Sequence, residues 1–135
     1  MSSRPALADR AARICLVTGF WLPLAVCTWL ALAPSPPDAV FRVSDIVLHA
    51  LAFSYLTFAL GLAHPAARPP TLVLCMLGYG IFIEVVQSFE VERNAELKDL
   101  LVDGIGILAG LGLLYTVGDW SRRTVRTLLG YPRGG

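Results

Sequence analysis

Three ionisable residues, His49, Glu84 and Asp103, sit inside blocks of otherwise apolar sequence. In a bilayer each such group costs a few kcal/mol or more, so ionisable residues there are rare and turn towards partners or water. Each of the three has a polar neighbour one helical turn away. Asp45 and His49 are spaced i, i+4, Glu84 and Gln87 are spaced i, i+3, and Asp99 and Asp103 are spaced i, i+4. Such spacings put both members of a pair on one helix face. A carboxylate beside a histidine is equipped for general acid–base work. Taken singly, the residues have structural readings. Capping is the better one for Asp45 and Asp99, and His49 alone would be unremarkable. No nucleophile stands out, because Ser44, Ser54 and Ser88 lack motif context. The sequence shows no metal-ligand cluster, no cofactor motif and no sign of nucleic-acid binding. Cys15, Cys27 and Cys75 lie in apolar blocks without paired spacing and read as small packing residues.

The elements that must position these groups are membrane helices. Of 135 residues, 56% are hydrophobic and only 16% charged, with mean hydropathy +0.64. Soluble domains carry nearer a quarter charged residues. Four apolar blocks approach the roughly 20 residues needed to cross a bilayer. They predict an all-α, four-helix transmembrane bundle with helices at about 14–33, 45–63, 71–89 and 99–117. Residues 1–13 form a polar tail and residues 118–135 a basic one, leaving a single transmembrane domain. The first block is longer than the usual apolar core of a signal peptide and reads as a retained helix. Pro23 lies inside it, which a membrane helix tolerates when neighbours satisfy the freed carbonyl. Gly106 and Gly110 have the small-xxx-small spacing that allows close helix approach. In the tail, Val117, Trp120, Thr124 and Leu128 would share one side of a helix. Two readings stay open there: a segment lying on anionic lipid, or a solvated basic tail.

Depth ties the polar residues together. His49 and Asp103 each follow the expected start of a helix by four residues, and Glu84 precedes the end of helix three by about five. At 1.5 Å per residue all three lie roughly 6–8 Å below the same membrane face. One shared pocket explains this better than three accidents, with Arg93 and Lys98 in the adjoining connector as countercharge. Basic residues orient the bundle. Eight fall on the side of both termini (Arg4, Arg10, Arg13, Arg68, Arg122, Arg123, Arg126 and Arg133) against three on the other (Arg42, Arg93 and Lys98). The excess predicts cytoplasmic termini and an outward-facing pocket.

These stripes carry a family resemblance. Ser44 to Phe53 resembles the Asp-x-x-x-His-x-x-x-Phe signature of the VanZ-like family, here Asp45, His49 and Phe53. Glu84, Gln87 and Phe89 resemble its Glu-x-x-Gln-x-Phe element. Arg93, followed by Asp99 to Gly110, resembles its Arg…Asp-x-x-x-Asn-x-x-Gly-x-x-x-Gly segment. The resemblance spans about residues 44–115 and implies a small multi-pass protein of the bacterial cytoplasmic (inner) membrane. The family is named for a protein linked to teicoplanin resistance. The resemblance implies a fold, a location and candidate residues, but no reaction. Asp103 stands where the family usually has Asn, which adds a negative charge or a protonated carboxyl.

Two functions compete. In the first, His49, Glu84 and Asp103 are the candidate catalytic groups, and Asp45, Gln87, Arg93 and Asp99 help bind a lipid-linked or cell-wall substrate. In the second, the protein is a non-catalytic accessory whose polar cluster locks the bundle and whose glycines or basic tail recruit a membrane protein partner. A transporter is weaker, since four helices without a repeat supply no alternating-access unit. Membrane lipids are partners in either case. The orientation is directly testable: single cysteines placed at positions 38 and 94 are expected to react with a membrane-impermeant maleimide on intact cells. Reaction only after permeabilisation reverses the topology.

Overall fold

The computed structural model describes residues 3–33, 45–89 and 97–129. These form four α-helices: α1 (Ser3–Leu32), α2 (Asp45–Ala63), α3 (Pro69–Gln87) and α4 (Leu97–Leu128). Each contains a stretch long and apolar enough to cross a membrane. Helices α2 and α3 have 19 residues each. That is about 28 Å of helix, close to the roughly 30 Å of a hydrocarbon core. Helices α1 and α4 have 30 and 32 residues and overrun that thickness.

The overrun corrects the expected boundaries. Helix α1 starts at Ser3 rather than near Ile14, so most of the expected polar tail is helical. Pro5 falls in its first turn, where a missing N–H costs nothing. At the other terminus, residues 118–128 continue α4 without a break instead of forming a separate tail segment. An Asp119–Arg122 pair, i, i+3 at 3.0 Å, supports that extension, and Arg126 Nε reaches Asp9 Oδ1 on α1 at 3.7 Å. Helix α3 begins at Pro69 rather than Thr71, since prolines suit the first helical positions. It ends at Gln87, with Ser88 as C-cap and Phe89 beyond it in a turn. Helix α4 begins at Leu97, which makes Asp99 a first-turn residue that favours the positive end of the helix dipole. We call the end of the bundle that holds Ser3 and Leu128 the terminal end, and the opposite end distal.

The core is small: Phe20, Phe53, Leu56, Ala59, Met76 and Ile107. Large apolar side chains, among them Trp21, Trp29, Leu51, Leu74, Leu101 and Leu108, point outwards. A contiguous apolar exterior of this extent needs a lipid solvent. Helices α2 and α4 share the most extensive contact. Glycine makes it possible. A Cβ added at Gly106 would lie 2.7 Å from the Ala50 carbonyl oxygen, and one at Gly110 would lie 2.7 Å from Thr57 Cβ. Added Cβ atoms at Gly104 and Gly112 would meet nothing within 4 Å. Only the Gly106-x-x-x-Gly110 face is therefore the close-approach face.

Pro23 has no N–H to give the carbonyl of Gly19, four residues earlier. Tyr55, on α2, donates its hydroxyl to that oxygen at 2.8 Å. The pairing converts a defect in α1 into a link between α1 and α2. Tyr55→Phe is expected to cost about 0.5–1.5 kcal/mol. In a Pro23→Ala background, residue 23 regains its N–H and most of that cost should vanish. Reversible unfolding in mixed micelles measures both terms. Equal losses in the two backgrounds would contradict the assignment.

Candidate functional site

The pair at the centre of the site joins α2 to α4. His49 Nδ1 lies 2.8 Å from Asp103 Oδ1. Asp103 is 1% exposed and the His49 side chain 18%. The contact occupies Nδ1, so Nε2 is the imidazole nitrogen left for other partners. Both side chains lean towards the N-termini of their helices, as Cβ atoms on a helix do. For α2 and α4 that direction is distal.

Helix α3 makes room for the carboxylate. A Cβ added at Gly80 would lie 2.8 Å from Asp103 Oδ2 and 3.3 Å from Phe53 Cζ. Below the pair, Phe53 stacks on His49 one turn along α2, with centroids 6.4 Å apart and planes 10° apart. Tyr79 tilts against Phe53 at 5.7 Å. Its hydroxyl is 3.0 Å from Thr28 Oγ1, and Thr28 gives its own proton to the Leu24 carbonyl at 2.7 Å. Tyr79 is therefore the donor to Thr28. Aromatic packing and this hydrogen bond connect the pair to α1. Phe53 belongs to the Asp45-x-x-x-His49-x-x-x-Phe53 signature, whereas Gly80, Tyr79 and Thr28 were not singled out from sequence. The signal was Gly78-Tyr79-Gly80, two small residues flanking an aromatic in a membrane helix.

Glu84 lies one turn distal to Gly80 on the same face of α3. Its Cα is thus about 6 Å further out than that of Gly80. The N-terminal lean of α3 side chains directs it back towards the Asp103 level. Glu84 is half-buried, with Oε1 shielded from solvent, and Asp99, one turn distal to Asp103, is half-buried with Oδ1 shielded. Both are partnered. Gln87 reaches α1 instead: its Nε2 donates to the Ala31 carbonyl at 2.9 Å. Asp45 occupies the first position of α2, one turn distal to His49. The Asp45 side chain and the whole of Arg93 lie outside the described residues. Among the described residues, no three His, Cys, Asp or Glu side chains are grouped to hold a metal ion.

A family model described as VanZ/LLP1 matches residues 16–118, three-quarters of the chain and all four membrane-spanning helices. The chain belongs to the VanZ/LLP1 family. It is accordingly a VanZ-like multi-pass membrane protein. No curated protein and no solved structure matches it. The match starts after Arg13 and stops before Asp119, so the charged ends of α1 and α4 lie outside the VanZ/LLP1 region.

Asp103 stands in this VanZ-like chain as the hydrogen-bond partner of His49, a role that asparagine can also fill through its side-chain amide. Asp103→Asn is therefore expected to cost less than about 1 kcal/mol. Asp103→Ala removes the hydrogen-bond partner of a half-buried imidazole nitrogen and should cost about 1–3 kcal/mol. Thermal unfolding in detergent compares the two. Equal destabilisation would show that the hydrogen bond does not hold the pair.

Proposed function

We propose that this protein binds, at the outward-facing distal end of its bundle, the polar head of a lipid-linked or cell-wall precursor in the bacterial cytoplasmic membrane, and that His49 handles a proton there. One observation carries the reading: a fully buried carboxylate, Asp103, is spent on orienting a partly accessible imidazole. A purely structural lock needs no ionisable groups. Thr28 with Tyr79, and Thr57 with its own backbone, join or satisfy helices using neutral hydroxyls. Keeping a histidine and a carboxylate in an apolar bundle has a desolvation cost that proton chemistry or ligand binding would justify. Glu84, Asp99 and Asp45 extend acidic character towards the distal surface. That suits the amines and hydroxyls of a sugar-peptide head, while Arg93 in the neighbouring connector suits its phosphates. The excess of basic residues on the terminal side supports the outward placement.

A second reading is favoured by Gln87, whose amide ties α3 to the last turn of α1. In that reading the protein is an accessory and its polar residues lock the bundle. Binding separates the two. With the full chain in nanodiscs and a polyprenyl-pyrophosphate-linked glycopeptide as probe, His49→Gln and Glu84→Gln should each weaken binding at least about tenfold, or 1.4 kcal/mol. Their melting temperatures should stay near that of the wild type. Unchanged affinity, or loss of binding only in step with loss of folding, would hand the case to the accessory reading. The family's link to glycopeptide resistance supplies a cellular counterpart: protection by the wild-type chain that His49→Gln abolishes.

A further inference from the structure

At the terminal end, far from His49, a cleft of about 730 Å³ opens between α1, the α2–α3 turn and the extension of α4. Arg13, Arg122 and Arg126 line it, together with His64 and a single carboxylate, Asp9. Three guanidiniums thus face one cleft, Arg13 from α1 and Arg122 and Arg126 from α4. Their existing partners leave much of their capacity unused. Arg126 and Asp9 are both half-exposed and 3.7 Å apart, a geometry that solvent screens to little net energy. Arg13 has no hydrogen bond or ion pair among the described residues. Arg122 donates from Nη2 to the Gly61 carbonyl at 2.9 Å and from Nη1 to Asp119 at 3.0 Å. Its Nε is shielded from solvent and has no acceptor among the described residues. An unmatched guanidinium N–H is costly, so a cleft of this charge favours a bound anion as acceptor.

Position decides what that acceptor is. Helix α2 ends at Ala63 after a membrane-thickness run of 19 residues, and the cleft sits on its last turn and the turn after it. That is the level of lipid phosphates. Basic pockets between membrane helices at this level are suited to anionic head groups, and guanidinium forks match phosphate oxygens bidentately. The cleft also has an apolar continuation. A groove of about 190 Å³ between α1 and α2 shares Leu16 and Leu62 with it and runs on past Cys15, Phe58 and Ala59 to Gly19 and Tyr55. A charged mouth joined to an apolar channel that runs into the membrane fits a lipid better than a free ion.

We propose that this cleft is a specific site for one anionic phospholipid, its phosphate held by Arg13, Arg122 and Arg126 and an acyl chain laid in the groove between α1 and α2. The test is native mass spectrometry of the full chain released from nanodiscs containing phosphatidylglycerol and phosphatidylcholine. One phosphatidylglycerol per chain should be retained, at least tenfold over phosphatidylcholine. The Arg13→Gln, Arg126→Gln double variant should bring that ratio to near parity. The Arg10→Gln, Arg123→Gln variant removes the same charge from exposed positions off the cleft and should keep the preference. Arg122 is left in place because it also caps α2. Leu16→Trp narrows the groove without changing charge and should cut retention several-fold, which keeps the test open if the arginine variant fails to fold. Equal losses in the two arginine double variants would mean diffuse surface charge and overturn the site. Displacement of the lipid by millimolar inorganic phosphate would mean a free-anion site and overturn the lipid assignment. Unaltered retention in Leu16→Trp would overturn the acyl groove.

Discussion

A backbone carbonyl without a donor is expensive in hydrocarbon, and this bundle is organised around carbonyls that its own helices leave over. Pro23 orphans Gly19, and Tyr55 from α2 answers it. Pro65, lacking an N–H, cannot serve Gly61, and Arg122 from α4 answers it. Ala31 lies in the last turn of α1, where carbonyls have no helical donor, and Gln87 from α3 answers it. Each repair comes from a different helix than the defect. The repairs therefore tie α1 to α2, α2 to α4, and α1 to α3. Lipid supplies little hydrophobic drive for helices to associate, so such bonds and close packing must hold the fold together.

Close packing supplies the rest, and it also builds the site. Gly106 and Gly110 bring the α4 backbone against Ala50, Ser54 and Thr57. That approach sets the register of α2 on α4 and so places Asp103 beside His49, one turn from Gly106. Gly80 then lets α3 close over the carboxylate. The buried pair, the aromatic stack beneath it and the Tyr79–Thr28 bond form one assembly. A change of helix spacing would disturb the pair before it disturbed anything at the surface.

The two ends of the molecule have opposite chemistry. The distal half carries buried Asp103 with half-buried His49, Glu84 and Asp99. The terminal end carries Arg13, Arg122 and Arg126 on helical extensions outside the VanZ/LLP1 match. Overlong α1 and α4 make this possible: they carry Arg13, Arg122 and Arg126 beside the turn between α2 and α3.

Membrane residence and the number of helices were legible in the sequence because both follow from local quantities: the length and hydropathy of each block. The ionisable candidates were equally legible, since an ionisable residue in an apolar run stands out against its immediate neighbours. So was the close face of α4, which small-residue spacing marks directly. What local quantities could not settle was pairing. The i, i+3 of Glu84 and Gln87 placed both on one face of α3, but only the packed bundle sends Gln87 to α1. Likewise nothing near Tyr55 in the chain announces that it completes a carbonyl 36 residues away. The ends of α1 and α4 escaped because hydropathy marks where hydrocarbon stops, whereas the backbone stays helical as long as no residue breaks it. Asp103 against His49, across 54 residues, depends on the register of two helices. Register is a property of surfaces meeting, and here glycines at 80, 106 and 110 decided it.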